Sequence, residues 1–256
     1  MGKSLLTKYI EENDSHIRPK LLPFLHSCEG YNGKKIIESN ELKASHCKVF
    51  DKDLLYFFYG KPSYPVGEKN ETKRTDDLYC PVCFIVNPKK VPIYRVFPFD
   101  SGAFDENRYK DFLHRDMKIE DFELENNVDA ILSYITTIFK NNKNYIDGVA
   151  CKKESDYLEI ESFLNLLNAK GAFDIDERAN TVEIISKESV SIKDVVECII
   201  LPESLMERKE VFKYINNNNI RYKTYGIRKF TLPMRYNETI FNLAMEYLSE
   251  SGMVIK

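Results

Sequence analysis

"DLLYFFYGKPSY", residues 53–64, is the stretch that decides the fold. Two leucines run into four consecutive rings, and Gly60, Lys61 and Pro62 then stop the run. A half-buried strand needs apolar side chains on one face only. Here Tyr56 and Phe58 share one face while Phe57 and Tyr59 share the other, and the segment reads as a strand that ends at Gly60 and Pro62. A core explains rings on one face, and often on both. The phenol oxygens add a condition, because a buried tyrosine hydroxyl needs a partner. A tyrosine face also suits a flat heteroaromatic ligand, where stacking contributes about 1–3 kcal/mol.

Upstream, "LLPFLHSCEG" (21–30) reads as a strand with His26 near its end. "NGKKIIESNEL" (32–42) reads as a short helix stopped near Asn40. Downstream, 65–77 is a polar, Gly/Pro-punctuated loop, followed by strands at 78–86 and 91–100. Helical spacing predicts helices over 5–13, 105–117 and 127–141. Another is predicted over 155–171, capped by Ser155 or Asp156 and closed by Gly171. Strands return at 180–185 and 194–202, then a helix over 202–217, a strand at 220–226, and a final amphipathic helix with an Asn237 cap. Strands, then helices, then strands give an α+β class. We expect a single domain over 1–256 with a mostly helical insertion at about 105–175.

Hydrophobic residues make up 43% of the 256 and charged residues 30%, the balance of a soluble globule. The net charge of −3 sets up no global positive field for nucleic acid, although a local basic patch is allowed. The N-terminal stretch holds an apolar pair rather than an apolar run, so no membrane association and a cytoplasmic location are expected. The six cysteines then read as reduced thiols.

Several residues carry potential chemistry. Glu183 sits among apolar neighbours in "NTVEII", where a carboxylate is costly to bury unpaired. It reads either as part of a solvated face or as a carboxylate held rigidly at a cleft. His26 on its apolar strand reads as a satisfied core residue or as a ligand contact. Cys80-Pro-Val-Cys83 has metal-ligand spacing, which His46-Cys47 would complete. Strand positions 80 and 83 point to opposite faces, however, and no metal is expected. Asp100 or Ser101 would cap a helix after the Asp-Ser-Gly turn. No nucleotide-loop, zinc-protease or nucleophile-elbow motif is present.

His26 at an early strand, tyrosines in a second strand after a short helix, and Glu183 in a late strand resemble, in that order, the His-Tyr-Glu branch of the ADP-ribosyltransferase superfamily. "FLHSCEGYNGKKIIESNELKAS" is similar to that family's opening, and "DERANTVEII…SVSIKDVVECIILP" to its closing strands. An Arg-then-Glu strand, Arg178 and Glu183 here, is comparable to the DarT-type toxins that modify nucleic acid. The resemblance covers about 21–64 and 176–225 and implies a split mixed/antiparallel sheet. It implies NAD as substrate, and transfer to a protein or nucleic-acid acceptor in a toxin or phage-defence setting. Glu183 would bond the nicotinamide ribose, Tyr56 would stack on the leaving ring, and His26 would hold the adenosine ribose. Tyr59 or Tyr64 would substitute for Tyr56 if the register shifts, and Arg178 joins the dinucleotide contacts. Lys69, Lys73 and Arg74 would meet phosphates.

Two departures stand out. Ser27 and Cys28 follow His26 where another pair is common, and Thr181 stands where arginine-modifying members carry Glu or Gln. The insertion would then contact the acceptor or a protein partner. The alternatives are an NAD glycohydrolase, or a non-enzymatic binding or complex-forming protein in which His26 and Glu183 lie on opposite sides of the sheet. A nuclease ranks last, for want of a carboxylate cluster.

Overall fold

The computed structural model describes residues 2–63, 75–151, 154–169, 177–229 and 231–254. The strands are β1 (Phe24–Glu29), β2 (Glu41–Leu42), β3 (Ser45–Cys47), β4 (Lys52–Tyr59), β5 (Pro81–Val86), β6 (Arg95–Phe97), β7 (Glu183–Ser186), β8 (Val190–Ser191), β9 (Val196–Pro202) and β10 (Arg221–Tyr225). The helices are α1 (Leu5–Asn13), α2 (Gly30–Ser39), α3 (Ser101–Asp105), α4 (Val128–Tyr134), α5 (Asn142–Ile146), α6 (Leu158–Leu167), α7 (Ile192–Val195), α8 (Glu203–Met206), α9 (Lys209–Asn217) and α10 (Tyr236–Glu250).

The main sheet runs β10-β9-β5-β1-β4-β7-β6, with β3 paired to β4. Among the described residues β9 and β10 pair in parallel, and the other ladders of this sheet are antiparallel. The chain is therefore an α+β protein on a mixed sheet, as its order of strands and helices predicts. β4 lies inside the sheet, between β1 and β7. Its partnership with β1 is brief, because the register holds only for Phe24↔Tyr59 and Leu25↔Phe58. Past that point β1 stays with β5 while β4 stays with β7, and the sheet is split.

One cluster of buried apolar side chains runs from Leu6 to Leu248. The stretch at 105–175 feeds its rings into it: Phe99 packs against Phe104, Tyr109, Phe122 and Phe163 at centroid distances of 5.4–5.7 Å. No helix among the described residues is long and apolar enough to cross a membrane.

Several boundaries differ from expectation. The helix over 105–117 is absent, since α3 stops at Asp105 and Asn107 turns left-handed at φ 55°. The helix over 127–141 loosens into a π-turn at Ile135–Phe139, whose five side chains are all buried. The stretch 202–217 breaks into α8 and α9 around an extended Arg208, whose guanidinium donates to Asp77 Oδ2 at 2.9 Å. The strand at 78–86 begins only at Pro81, and the one at 91–100 shrinks to three residues. α6 starts after Tyr157 without a side-chain cap, and Gly171 lies outside the described residues. Asn237 is inside α10 rather than its cap. Asp100 does cap α3, accepting Ala103 N–H at 2.7 Å.

Candidate active site

Antiparallel partners project to the same side of a sheet. Glu183 pairs with Phe58 and with Phe97, and Tyr56 pairs with Ile185. Glu183, Tyr56 and Phe58 therefore share one face. On that face Tyr56 and Phe58 are half-buried, whereas Leu55, Phe57 and Tyr59 on the reverse face are fully packed. That face is part-open at Tyr56 and Phe58 and closed at Leu54, Phe97 and Ile185, a small buried cluster against which Tyr56 packs.

Glu183 is 2% exposed, and its carboxylate is half served. Oε2 accepts the Ser101 main-chain N–H at 3.3 Å, while Oε1 has no hydrogen-bond partner. Burial, reinforced by the nearby Asp100 carboxylate, pushes Glu183 well above the usual carboxylate range. Asp100 is held in turn by Arg178, whose Nη1 lies 3.4 Å from Asp100 Oδ2 in a buried pair. α3 thus presents one carboxylate to a guanidinium and one N–H to a second carboxylate.

Tyr56 donates its hydroxyl to Cys47 Sγ at 2.8 Å. Burial, the Cys47 contact and the charges of Glu183 and Asp100 all raise its phenol, so it stays neutral. The structure thus gathers Tyr56, Glu183 and, through Asp100, Arg178.

His26 is placed differently. It pairs with Phe84, and its ring lies 6.0 Å from that of Phe57, so its strand position projects to the reverse face. The imidazole nevertheless reaches the split: Nδ1 lies 2.9 Å from the Tyr56 carbonyl, where β1 and β4 have parted. A carbonyl only accepts, so Nδ1 carries the proton and Nε2 is the acceptor. Burial holds this imidazole below its usual range. Tyr59 is taken up by the core, where its hydroxyl accepts Leu22 N–H at 3.0 Å and its carbonyl accepts the Tyr145 hydroxyl at 2.8 Å. Tyr64, Lys69, Lys73 and Arg74 lie outside the described residues.

The sequence reading missed Cys47 as a neighbour of Tyr56 and Asp100 as a neighbour of Glu183. A polar residue that caps a helix looks fully explained in one dimension; only the β6–β7 pairing brings that cap beside Glu183. Cys80 and Cys83 are buried thiols, and among the described residues no cluster of three or more His, Cys, Asp or Glu is placed to hold a metal.

No family model matches the chain, and no curated protein matches it. Among solved structures it is similar to DarT of Thermus sp. 2.9, in complex with carba-NAD+ and with NAD+. Both have 12% identity and a TM-score of 0.41, over 82% and 83% of this chain and 97% and 98% of those chains.

Proposed function

We propose that the chain is an NAD-dependent mono-ADP-ribosyltransferase acting on a macromolecular acceptor, a protein or a nucleic acid. The observation that carries this reading is the Glu183 carboxylate, buried on a rigid strand beside Tyr56 with one oxygen unsatisfied. Leaving such an oxygen unbonded costs about 1–3 kcal/mol, which a substrate hydroxyl would recover. In the reaction, Oε1 takes a hydroxyl of the nicotinamide ribose. The carboxylate then stabilises positive charge as it grows at the anomeric carbon, where a fixed countercharge is worth most. Tyr56 stacks on the departing ring. His26 contributes to holding the adenosine ribose through Nε2, its Nδ1 being held by the Tyr56 carbonyl. Arg178 holds Asp100, and Tyr64 belongs to the dinucleotide contacts.

The burial of Glu183 fits this role. A carboxyl that resists ionisation alone is driven to ionise by a pyridinium cation bound against it. The stretch at about 105–175 is the proposed contact for a protein partner, and a toxin or phage-defence setting is what the family resemblance implies.

A second reading, a non-enzymatic binding protein, draws on one observation: His26 leaves its strand toward the face opposite Glu183. Incubation with NAD separates the two. Release of nicotinamide, lost in Glu183→Gln, supports the transferase, and mass spectrometry of cell protein and nucleic acid then finds the ADP-ribose. Release without any adduct identifies a glycohydrolase. No release with either class of acceptor present overturns both enzymatic readings.

A further inference from the structure

Tyr94 packs, as Tyr56 does, against the cluster of Leu54, Phe97 and Ile185. It stands three residues before Phe97, the β6 partner of Glu183, so roughly 10 Å of chain separates the two positions along the sheet. Two ammonium groups converge on its half-buried ring. Lys52, from the start of β4, donates to the phenol oxygen at 3.3 Å, and Lys187, just past β7, lies over the ring 3.5 Å from its centroid. Both lysines are exposed, and among the described residues neither is paired with a carboxylate. Two positive charges with no countercharge therefore meet at one phenol, and the form they favour is the phenolate. The hydrogen bond from Lys52, helped by Lys187, holds this phenol below its ordinary range. Tyr56, Tyr59, Tyr145 and Tyr225 are pushed the opposite way, chiefly by burial. Of these phenols, Tyr94 is the one prepared to act as a nucleophile.

We infer that Tyr94 is a site of self-modification: its phenol is the acceptor when one copy of the chain transfers ADP-ribose to another. The inference rests on the transferase reading and names one acceptor for it. In that reading Glu183 and His26 are committed to the two riboses, Asp100 is held by Arg178, and Thr181 has no basic group. None of these is left to deprotonate an acceptor. A phenol ionised by its own neighbours needs no such base. In the step, the Tyr94 oxygen bonds the anomeric carbon of the nicotinamide ribose, and the bond from that carbon to the ring nitrogen breaks. Nicotinamide leaves neutral with the electron pair, and the phenol's proton passes to water. The separation of Tyr94 from its own Glu183, and the burial of that carboxylate, make the transfer one between copies.

The test is incubation of the full chain with NAD, followed by peptide mapping by mass spectrometry. We expect ADP-ribose on Tyr94, resistant to hydroxylamine, which cleaves the esters that carboxylates would form. Mixing two variants tests the passage between copies. Glu183→Gln keeps the phenol and Tyr94→Phe keeps the carboxylate, so the adduct should form on Tyr94 of the Glu183→Gln chain in the mixture, and not when that chain is alone. With Lys52→Ala and Lys187→Ala combined, labelling of Tyr94 should fall several-fold near neutral pH and recover at higher pH, where the phenol ionises unaided. A merely structural role for the two lysines would not move with pH in this way. Circular dichroism checks that the variants fold; if the double-lysine variant does not, the map and the mixture decide. Nicotinamide release with the adduct on another residue, or with none on Tyr94, overturns the inference and leaves the transferase reading standing. Unchanged labelling in the folded double-lysine variant overturns it too. An adduct in wild type that is missing from the mixture overturns transfer between copies. No nicotinamide release overturns the transferase reading, and self-modification falls with it.

Discussion

β4 has two faces, and they differ in what they leave unfinished. On one, Leu55, Phe57 and Tyr59 are 2%, 0% and 0% exposed, and the Tyr59 hydroxyl is matched to a backbone N–H. On the other, Tyr56 and Phe58 are half-buried, the Tyr56 hydroxyl rests on a thiol, and the neighbouring carboxylate has an oxygen bonded to nothing. The first face satisfies every group for stability. The second holds costly groups that folding alone does not repay. The same residue type is thus fully packed at position 59 and part-open at position 56, where the proposed site lies.

The sharpest way to break this contrast is to truncate one ring from each face. Phe57→Ala removes a fully packed ring and should cost about 3–5 kcal/mol in urea denaturation. Phe58→Ala removes a partly buried one and should cost less, roughly 1–2 kcal/mol. Equal losses would mean that the two faces are packed alike.

Next in size is Glu183→Gln. If the proposed transferase reading holds, nicotinamide release should fall at least about a hundredfold, since one fixed charge at the proposed reacting centre is lost. Stability should move the other way. Glu183 is raised in the folded state, so the folded protein holds its proton to higher pH than the unfolded chain does. Its contribution is complete below the ordinary glutamate value of about 4.3 and is lost as pH rises through the folded value. At neutral pH the glutamine variant should therefore melt higher than wild type, with a flatter pH profile above about 4.3. A variant that melts lower at pH 7.5 would show that the carboxylate is a structural partner.

How much of this was legible beforehand follows from the same contrast. Alternation along 53–60 put Tyr56 and Phe58 on one face, and the structure keeps them there, because strand periodicity is local. Which face opens was not legible, since that depends on where β1 leaves β4. The pairing of Glu183 with Phe58 and Phe97 spans more than 80 residues of chain, and no local pattern encodes it. Helix interiors such as 5–13 read well; breaks did not. Asn107 and Arg208 end helices by adopting backbone conformations that composition does not announce.

A gentler pair is Tyr59→Phe against Tyr56→Phe. Removing the Tyr59 hydroxyl strands the Leu22 N–H in the core and should cost about 1–3 kcal/mol. Removing the Tyr56 hydroxyl gives up only a weak bond to sulfur and should change stability by less than about 1 kcal/mol. Nicotinamide release should persist in Tyr56→Phe, which keeps its ring, and drop in Tyr56→Ala.

The smallest effect concerns the boundary between the faces. His26 donates from Nδ1 to the Tyr56 carbonyl, and burial lowers its pKa. In the window just below the unfolded value of about 6.5, the unfolded chain takes a proton at this position that the folded chain refuses. Stability from His26 is therefore intact above that value and declines as pH falls toward the folded one. His26→Asn keeps an N–H donor near the Nδ1 position but cannot titrate. Its melting temperature should match wild type near pH 8 and exceed it by a few degrees near pH 5. If the variant melts well below wild type at pH 8, the amide has not replaced the imidazole at the Tyr56 carbonyl. In that case the packing of the full ring against Phe57 and Phe84, and not its hydrogen bond alone, is what position 26 contributes.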